Sequence, residues 1–308
     1  MLFNWIVIPT LLASYGLFCA GNRIAQGRPV SQKIPLYLAA VFLALPGVLI
    51  AIYYLHLFDS WTQFYEFRSW RGSECAAAGM GFLGGLIAAE CVSCRVGAVT
   101  ILGVLMTLGI MVPHAKPVLS PANWDQFERN WDGAVCKQST AYSCGAACAA
   151  TLLRWHGIDA EEKELAKACF TYSSGTENWY IARELRARGL SVRFHTGQSL
   201  EQVELPCLAG VRVGGIGHFV VILAAQGDSY LTGAPLVGAR SYSKAELDRQ
   251  FVFTGFFMSV HAQSAPQAGW TGATSRCMVG KPLKCQARSS DAAGVRQRNR
   301  KSKGRRPA

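Results

Sequence analysis

A glutamine six residues ahead of a cysteine is the spacing in this chain that suggests nucleophilic chemistry. Cys144 and Gly145 open an apolar run, Ala146–Leu153, that contains no Pro or Gly. Because Ser143 is a good N-cap, we expect a helix to begin at Cys144. Unpaired N–H groups and the helix dipole favour negative charge there, so we expect a thiol pKa lowered towards the reactive thiolate. The Gln138 amide would then lie beside the sulfur and donate to a developing oxyanion.

A reactive cysteine also needs a base, and the chain has six histidines. His218 is the best candidate, because it follows a glycine-rich turn and begins an apolar strand predicted over His218–Ala224. His156 lies twelve residues after Cys144 on the same predicted helix, about 18 Å along its axis, and cannot reach the sulfur. The others lie in apolar runs or at strand ends: His56, His114, His195 and His261. From this pairing alone, a structural role for both residues remains open.

The elements that must position these residues follow from the pattern after Pro121. Helices are predicted over Ser143–His156, from Asp159 onward, over Glu177–Arg188, and from a capping box at Ser243–Glu246. Strands are predicted over Ser191–His195, Leu208–Val213, His218–Ala224, from Tyr230 onward, and over Phe251–Val260. Helices followed by mostly hairpin-linked strands indicate an α+β domain.

Two short motifs together resemble a known family. Gln138-x5-Cys144-Gly145-x-Ala147, followed by Gly217-His218-Phe-Val-Val, is similar to papain-like cysteine peptidases that cut double-glycine leaders from bacteriocin precursors. The resemblance covers roughly residues 135 to 260. It implies a papain-like fold in which Cys144 is the nucleophile, His218 the general base and acid, and Gln138 the oxyanion donor. It implies no cofactor and no metal.

The same resemblance suggests partners and a location. A peptide or protein is the expected substrate. Many relatives are fused to an ABC exporter, whereas no GxxxxGK[ST] phosphate loop occurs here, so we expect a membrane-anchored stand-alone form with a separate transporter as a candidate partner. The expected site is the inner, cytoplasmic membrane of a bacterium.

One position departs from the family's pattern. The family usually places an Asp before a Pro, about sixteen residues after the His, to orient the imidazole; this chain has Ala234-Pro235 there. In serine proteases a related loss costs about 10⁴ in turnover, but a cysteine needs less help because its thiolate is already partly formed. Asp228 is the nearest substitute, and we expect it to lie solvated in a turn. Two functions therefore stay open: a cysteine peptidase, and an impaired relative that binds peptides without cleaving them.

The region before this domain is apolar. Of the 308 residues 50% are hydrophobic and 16% charged, and the mean hydropathy of +0.17 indicates membrane spans. Four transmembrane helices are predicted, over Asn4–Ala20, Ile34–Phe58, Ala76–Ala89 and Val96–Val112, the last ended by Pro113 and Pro117. The Gly/Ala-rich third helix suits close packing in a bundle. The aromatic and charged segment Asp59–Cys75 fits a lipid–water boundary or a connecting loop with core contacts.

These patterns divide the chain into three parts: a transmembrane anchor over residues 1–117, the peptidase domain over 118–261 and a basic tail over 262–308. The tail holds eleven Lys/Arg and one acid, so it carries +10 of the net +12, and its composition predicts disorder. With so little charge left on the folded body, we do not expect it to bind nucleic acid. The eleven cysteines, a CxxC at Cys91 and Cys94 included, are not spaced as a disulfide framework.

Orientation in the membrane follows from the short loops. The loop with Arg23, Arg28 and Lys33 has three positive charges and no acid, so we expect it in the cytoplasm, in contact with membrane lipid. Four spans would then place the peptidase domain outside the cytoplasm. Three spans, without Ala76–Ala89, would instead place it in the cytoplasm, where anionic lipid or RNA would attract the basic tail.

Overall fold

The computed structural model describes residues 4–53, 60–91 and 95–263, and the basic tail lies outside them, as do Cys94 and His56. Five helices precede the predicted peptidase domain within this range: α1 Val7–Ala25, α2 Val30–Ile52, α3 Thr62–Ser69, α4 Gly79–Glu90 and α5 Arg95–Leu119. A 3-10 turn, Ser73–Ala78, leads into α4. Helix α5 continues through Pro113 and Pro117, which we expected to end it. A proline removes one backbone donor, and neighbouring helices can compensate for that loss.

Glycines allow α4 to lie against the backbones of α1 and α2. A Cβ on Gly81 would fall on the carbonyl oxygen of Ser14, and one on Gly85 on that of Phe18. A Cβ on Gly79 of α4 would likewise fall on the carbonyl of Leu43 of α2. The predicted close packing of the third apolar segment inside a bundle is therefore what the structure contains.

Length and apolarity support fewer spans than the four predicted. Among the described residues, one helix, Val30–Ile52, is long and apolar enough to cross a membrane. The pair Thr62–Ser69 and Ser73–Glu90, bent by 104°, would add a second only if both parts formed one span. Residues Val96–Met111 form a shorter apolar helix. Helices thus occupy most of the described part of each predicted segment, whereas four crossings go beyond what these helices show.

The domain after α5 has helices first and then one large sheet. A two-stranded hairpin, β1 Trp131–Asp132 and β2 Val135–Cys136, precedes α6 Cys144–Trp155, α7 Glu162–Ala168 and α8 Asn178–Ala187. The sheet is built from β3 Leu190–Thr196, β4 Cys207–Val213, β5 Ile216–Gln226, β6 Ser229–Ala234, β7 Gly238–Ser243 and, after α9 Lys244–Gln250, β8 Val252–Ala262. The strands are antiparallel, in the order β3-β8-β4-β5-β6-β7. The mixed helix and sheet fold is confirmed.

The sheet separates two hydrophobic cores. On one face Val221 and Leu223 of β5 pack with Leu152 of α6 and with α8. On the other face Val220 and Ile222 pack with α9. Because side chains alternate along a strand, β5 contributes to both cores in turn. The apolar run from Phe219 to Leu223 is explained by this burial on both faces.

The segment between α2 and α4 packs against the peptidase domain. Tyr65 of α3 is buried in the same core as α6, with its ring 5.7 Å from Phe194 and 5.2 Å from Phe256. Arg186 of α8 forms an ion pair of 2.8 Å with Glu66. The segment Asp59–Cys75 was expected either at a lipid–water boundary or in a connecting loop with core contacts. From residue 60 onward it makes core contacts, although Trp61 and Trp70 are exposed.

Candidate active site

The loop from Gln138 to Ser143 is held by its own hydrogen bonds. The Gln138 amide donates from Nε2 to the Thr140 carbonyl at 2.7 Å, and its backbone N–H donates to the Pro235 carbonyl at 3.0 Å. Helix α6 begins at Cys144, as predicted, but the Ser143 hydroxyl does not cap it. That hydroxyl instead accepts from the Thr140 N–H at 3.1 Å, which tightens the turn before the helix.

The Cys144 thiol lies beside strand β5. Its side chain is buried, with 8% of the residue exposed. Backbone N–H groups of Phe219, Gly145 and Cys144 itself hydrogen-bond to the sulfur and act to lower its pKa. Phe219 directly follows His218, so the structure brings the predicted nucleophile next to the strand that carries the predicted base.

Burial reverses the expected pKa of this thiol. Desolvation is the largest effect and raises the pKa of Cys144 above its ordinary value, and the negative charge of Glu162 adds to the rise. The N–H groups at the helix start oppose this but do not outweigh it. The expectation of a lowered thiol pKa was therefore wrong, because the sequence does not show how little water reaches the sulfur.

His218 is a half-buried histidine opposite Val211 of β4. Its Nε2 is buried and has no hydrogen-bond partner among the residues that the structure describes. Burial lowers the pKa of His218, so its imidazole is neutral at neutral pH. A neutral imidazole with an unoccupied ring nitrogen is suited to accept a proton.

The side chain of Ala234 lies on the same face of the sheet as that of His218. In the β5–β6 register Val221 pairs with Gly233. The next pair along this register places Ala234 opposite Val220, two residues from His218 on the same face. Both alanine and valine belong to one core. Asp228 is exposed in the β5–β6 turn, at the far end of the strand, as expected.

The remaining described histidines have other surroundings. His156 Nε2 lies 3.1 Å from the Val260 carbonyl, and His195 Nε2 lies 3.1 Å from the Ser259 hydroxyl. His114 is buried on α5. These contacts agree with the choice of His218.

The sequence analysis gave no role to Glu162, which lies in the helix predicted from Asp159 onward. This residue is 3% exposed, and both its oxygens accept from the Ser139 N–H, at 3.0 and 3.2 Å. The Ser139 hydroxyl also donates to it. The spacing between Ser139 and Glu162 carries no pattern that would reveal this contact.

Comparisons with known proteins identify the family of the domain that carries these residues. Residues 124–265 match the model of the Peptidase C39 family. An uncharacterized protein of Methanothermobacter marburgensis is 31% identical over 107 residues, which cover 35% of this chain and 75% of that protein. The probable functional amyloid protease FapD of Pseudomonas aeruginosa is 26% identical over 125 residues, 36% of this chain and 54% of FapD. The peptidase domain of Streptococcus ComA, a bi-functional ABC transporter involved in quorum sensing, aligns at a TM-score of 0.37 and 19% identity, covering 42% of this chain and 98% of that domain.

Proposed function

Since this chain belongs to the peptidase C39 family, we propose that it is a cysteine peptidase that removes a leader or other segment from a peptide substrate. One observation carries the assignment of residues. The sulfur of Cys144, at the start of α6, lies beside the backbone N–H of Phe219, next to His218. The backbone N–H of Gln138 donates to the carbonyl of Pro235, the residue after Ala234.

The proposed mechanism starts from a neutral pair. His218 removes the thiol proton as the Cys144 sulfur attacks the scissile carbonyl carbon, and the carbonyl oxygen becomes an oxyanion. Gln138 Nε2 carries two hydrogens, of which one binds Thr140, and the other is available to the oxyanion. The imidazolium then returns its proton to the leaving amine, leaving a thioester. Water, deprotonated by His218, hydrolyses that thioester and regenerates the thiol.

Cys144 is tested against its neighbour on the same helix. We expect Cys144→Ala to abolish cleavage of a fluorogenic peptide ending in Gly-Gly, and labelling by a thiol-reactive peptide probe that iodoacetamide blocks. Cys148 is buried one turn further on, and burial raises its pKa well above the ordinary value, so Cys148→Ala should retain both. Turnover that survives Cys144→Ala would reject the assignment.

We also propose that the helical region anchors the peptidase in a membrane, with the peptidase domain outside the cytoplasm. The two ends of the bundle support this arrangement. Lys33 and Glu90 form an ion pair of 2.8 Å that joins the start of α2 to the end of α4. At the opposite end Tyr53, just after α2, contacts Trp179 of the peptidase domain at 5.2 Å between ring centroids. The basic loop is therefore at the end away from the peptidase.

The side of the membrane is measured with a reporter fused after Gln263, beyond the last strand. Alkaline phosphatase activity of that fusion is the expected result, because the positive loop is retained in the cytoplasm. Fluorescence from a reporter that folds only in the cytoplasm would contradict it. The candidate partner is a separate transporter, and the candidate substrate is a peptide that carries a leader.

A further inference from the structure

A buried carboxylate braces the loop that joins the proposed oxyanion donor to the proposed nucleophile. Glu162 begins α7 and comes from outside the Gln138–Cys144 motif. Its oxygens accept from the backbone and hydroxyl of Ser139, the residue after Gln138. The Ser143 hydroxyl, directly before Cys144, donates to the Thr140 carbonyl at 3.2 Å and acts to lower the pKa of the same carboxylate. One side chain is thus bound to Ser139 and acts electrostatically on Ser143, at the other end of this loop.

The burial of Glu162 argues for a specific role. An acid in the first turn of a helix interacts favourably with the dipole even when solvated. Burying it is costly unless the carboxylate is hydrogen-bonded, and here the donors are the backbone N–H and the hydroxyl of Ser139, in that loop. The ionised form accepts at both oxygens, whereas a protonated or amide group would place a donor against these donors.

From this geometry we propose that Glu162 is a positioning residue for the cleavage reaction: it fixes the separation of Gln138 and Cys144. The inference rests on the proposed function. Burial is the main reason that the pKa of Cys144 is raised, and the negative charge of this carboxylate adds to the rise. Glu162 therefore holds the loop in place at the cost of a less acidic thiol, and a residue with a purely structural role would not have this second effect.

The other titratable groups around the sulfur are known. His218 lies on β5 directly before Phe219, Cys148 one turn along α6, and Cys136 on β2. Burial raises the pKa of both these thiols, so they stay neutral when Glu162 is changed. A shift in the titration of Cys144 can then be assigned to Glu162.

Two measurements on the full chain test the proposal: cleavage of a fluorogenic Gly-Gly peptide, and the rate of Cys144 alkylation by iodoacetamide against pH, read by mass spectrometry. Glu162→Gln should lower kcat by about 10²-fold, the effect of misplacing reacting groups, with little change in KM. It should also move the alkylation midpoint to lower pH. Ser139→Ala should lower kcat without that shift, because the charge remains.

Glu161→Gln is the matched control. Its side chain is 43% exposed and pairs with Arg129 at 3.1 Å, so the same charge change next door should alter neither measurement. Wild-type kcat and an unshifted midpoint in Glu162→Gln would overturn the proposal. Should Glu162→Gln not fold, an unchanged kcat in Ser139→Ala would overturn it. Cleavage that survives Cys144→Ala would reject the proposed function rather than this proposal. Even in that case, an unshifted Cys144 alkylation midpoint in Glu162→Gln would overturn the electrostatic effect of Glu162.

Discussion

His218 carries out its proposed role without the carboxylate that usually orients it. The related loss in serine proteases is severe because the imidazole adopts the wrong tautomer. Here burial keeps the ring neutral, and the sulfur needs only one proton removed at the moment of attack. The proposed site therefore starts from a neutral Cys144–His218 pair rather than an ion pair, and Ala234 stands where the family usually has the carboxylate.

Ala234→Asp should restore the missing interaction. The carboxylate would share a face with His218, stabilise its imidazolium and raise its pKa. Because the base form exists above that pKa, the acid limb of kcat/KM should move to higher pH, while kcat on the plateau rises. Ala234→Asn is the control, since it fills the same volume without charge and should not move the limb.

The pH profile of cleavage by both variants decides this prediction, with thermal unfolding to confirm that they fold. A wild type that binds the peptide without cleaving it, and gains cleavage only with the aspartate, would favour the impaired relative. Wild-type turnover unaffected by Ala234→Asp would mean that another group orients His218.

Among the elements, α6 shows what a local pattern can and cannot predict. Its start at Cys144 followed from a good N-cap residue before an apolar run, and the strand of His218 from an apolar run after a glycine-rich turn. The family was identified from the resemblance of the motifs around Gln138, Cys144 and His218, and that identification is confirmed. Strand β7, the raised pKa of the thiol and the contact of Glu162 all depend on groups distant in sequence. Local propensity contains no information about such burial and pairing.

The second residue of helix α6, Gly145, is a glycine at a point where α8 lies close. A Cβ on Gly145 would lie 2.8 Å from Cδ1 of Ile181 and 3.1 Å from Cβ of Thr176. We expect Gly145→Ala to cost about 1–3 kcal/mol in the free energy of unfolding, and to lower kcat because the helix start carries Cys144. Denaturant unfolding and peptide cleavage measure the two effects.

Ile181→Val provides the matched test, since it removes the Cδ1 methyl that the new Cβ would meet. Alone, this change should cost about 0.5–1.5 kcal/mol. Combined with Gly145→Ala, it should restore part of the lost stability and activity. Strictly additive effects of the two substitutions would show that the contact does not limit the helix position.

For the whole molecule, a buried ion network joins the helical region to the peptidase domain. Glu74, 2% exposed, accepts from Arg183 Nη1 at 2.8 Å and lies 3.8 Å from Arg68 Nη1. Arg68 stacks over Trp179, with 4.8 Å to the ring centroid. These arginines hold the pKa of Glu74 below its ordinary value, although burial opposes them.

Glu74→Gln should therefore destabilise the protein by about 3–5 kcal/mol, because it leaves two buried guanidinium groups uncompensated. Glu90→Gln removes an exposed partner of Lys33 and should cost about 0–1 kcal/mol. Thermal unfolding in detergent compares the two. Equal losses of stability would show that the buried network is not what joins the two regions.

Tyr65 gives this junction a kinetic consequence. A peptidase domain cut free after α5 would lose the Tyr65 ring that packs against Phe194 and Phe256. Its hydrophobic core would then be exposed to water. An enzyme of this build, anchored as proposed, does not act by shedding a soluble form. Its rate would then follow the number of enzyme molecules per unit area of membrane rather than their bulk concentration.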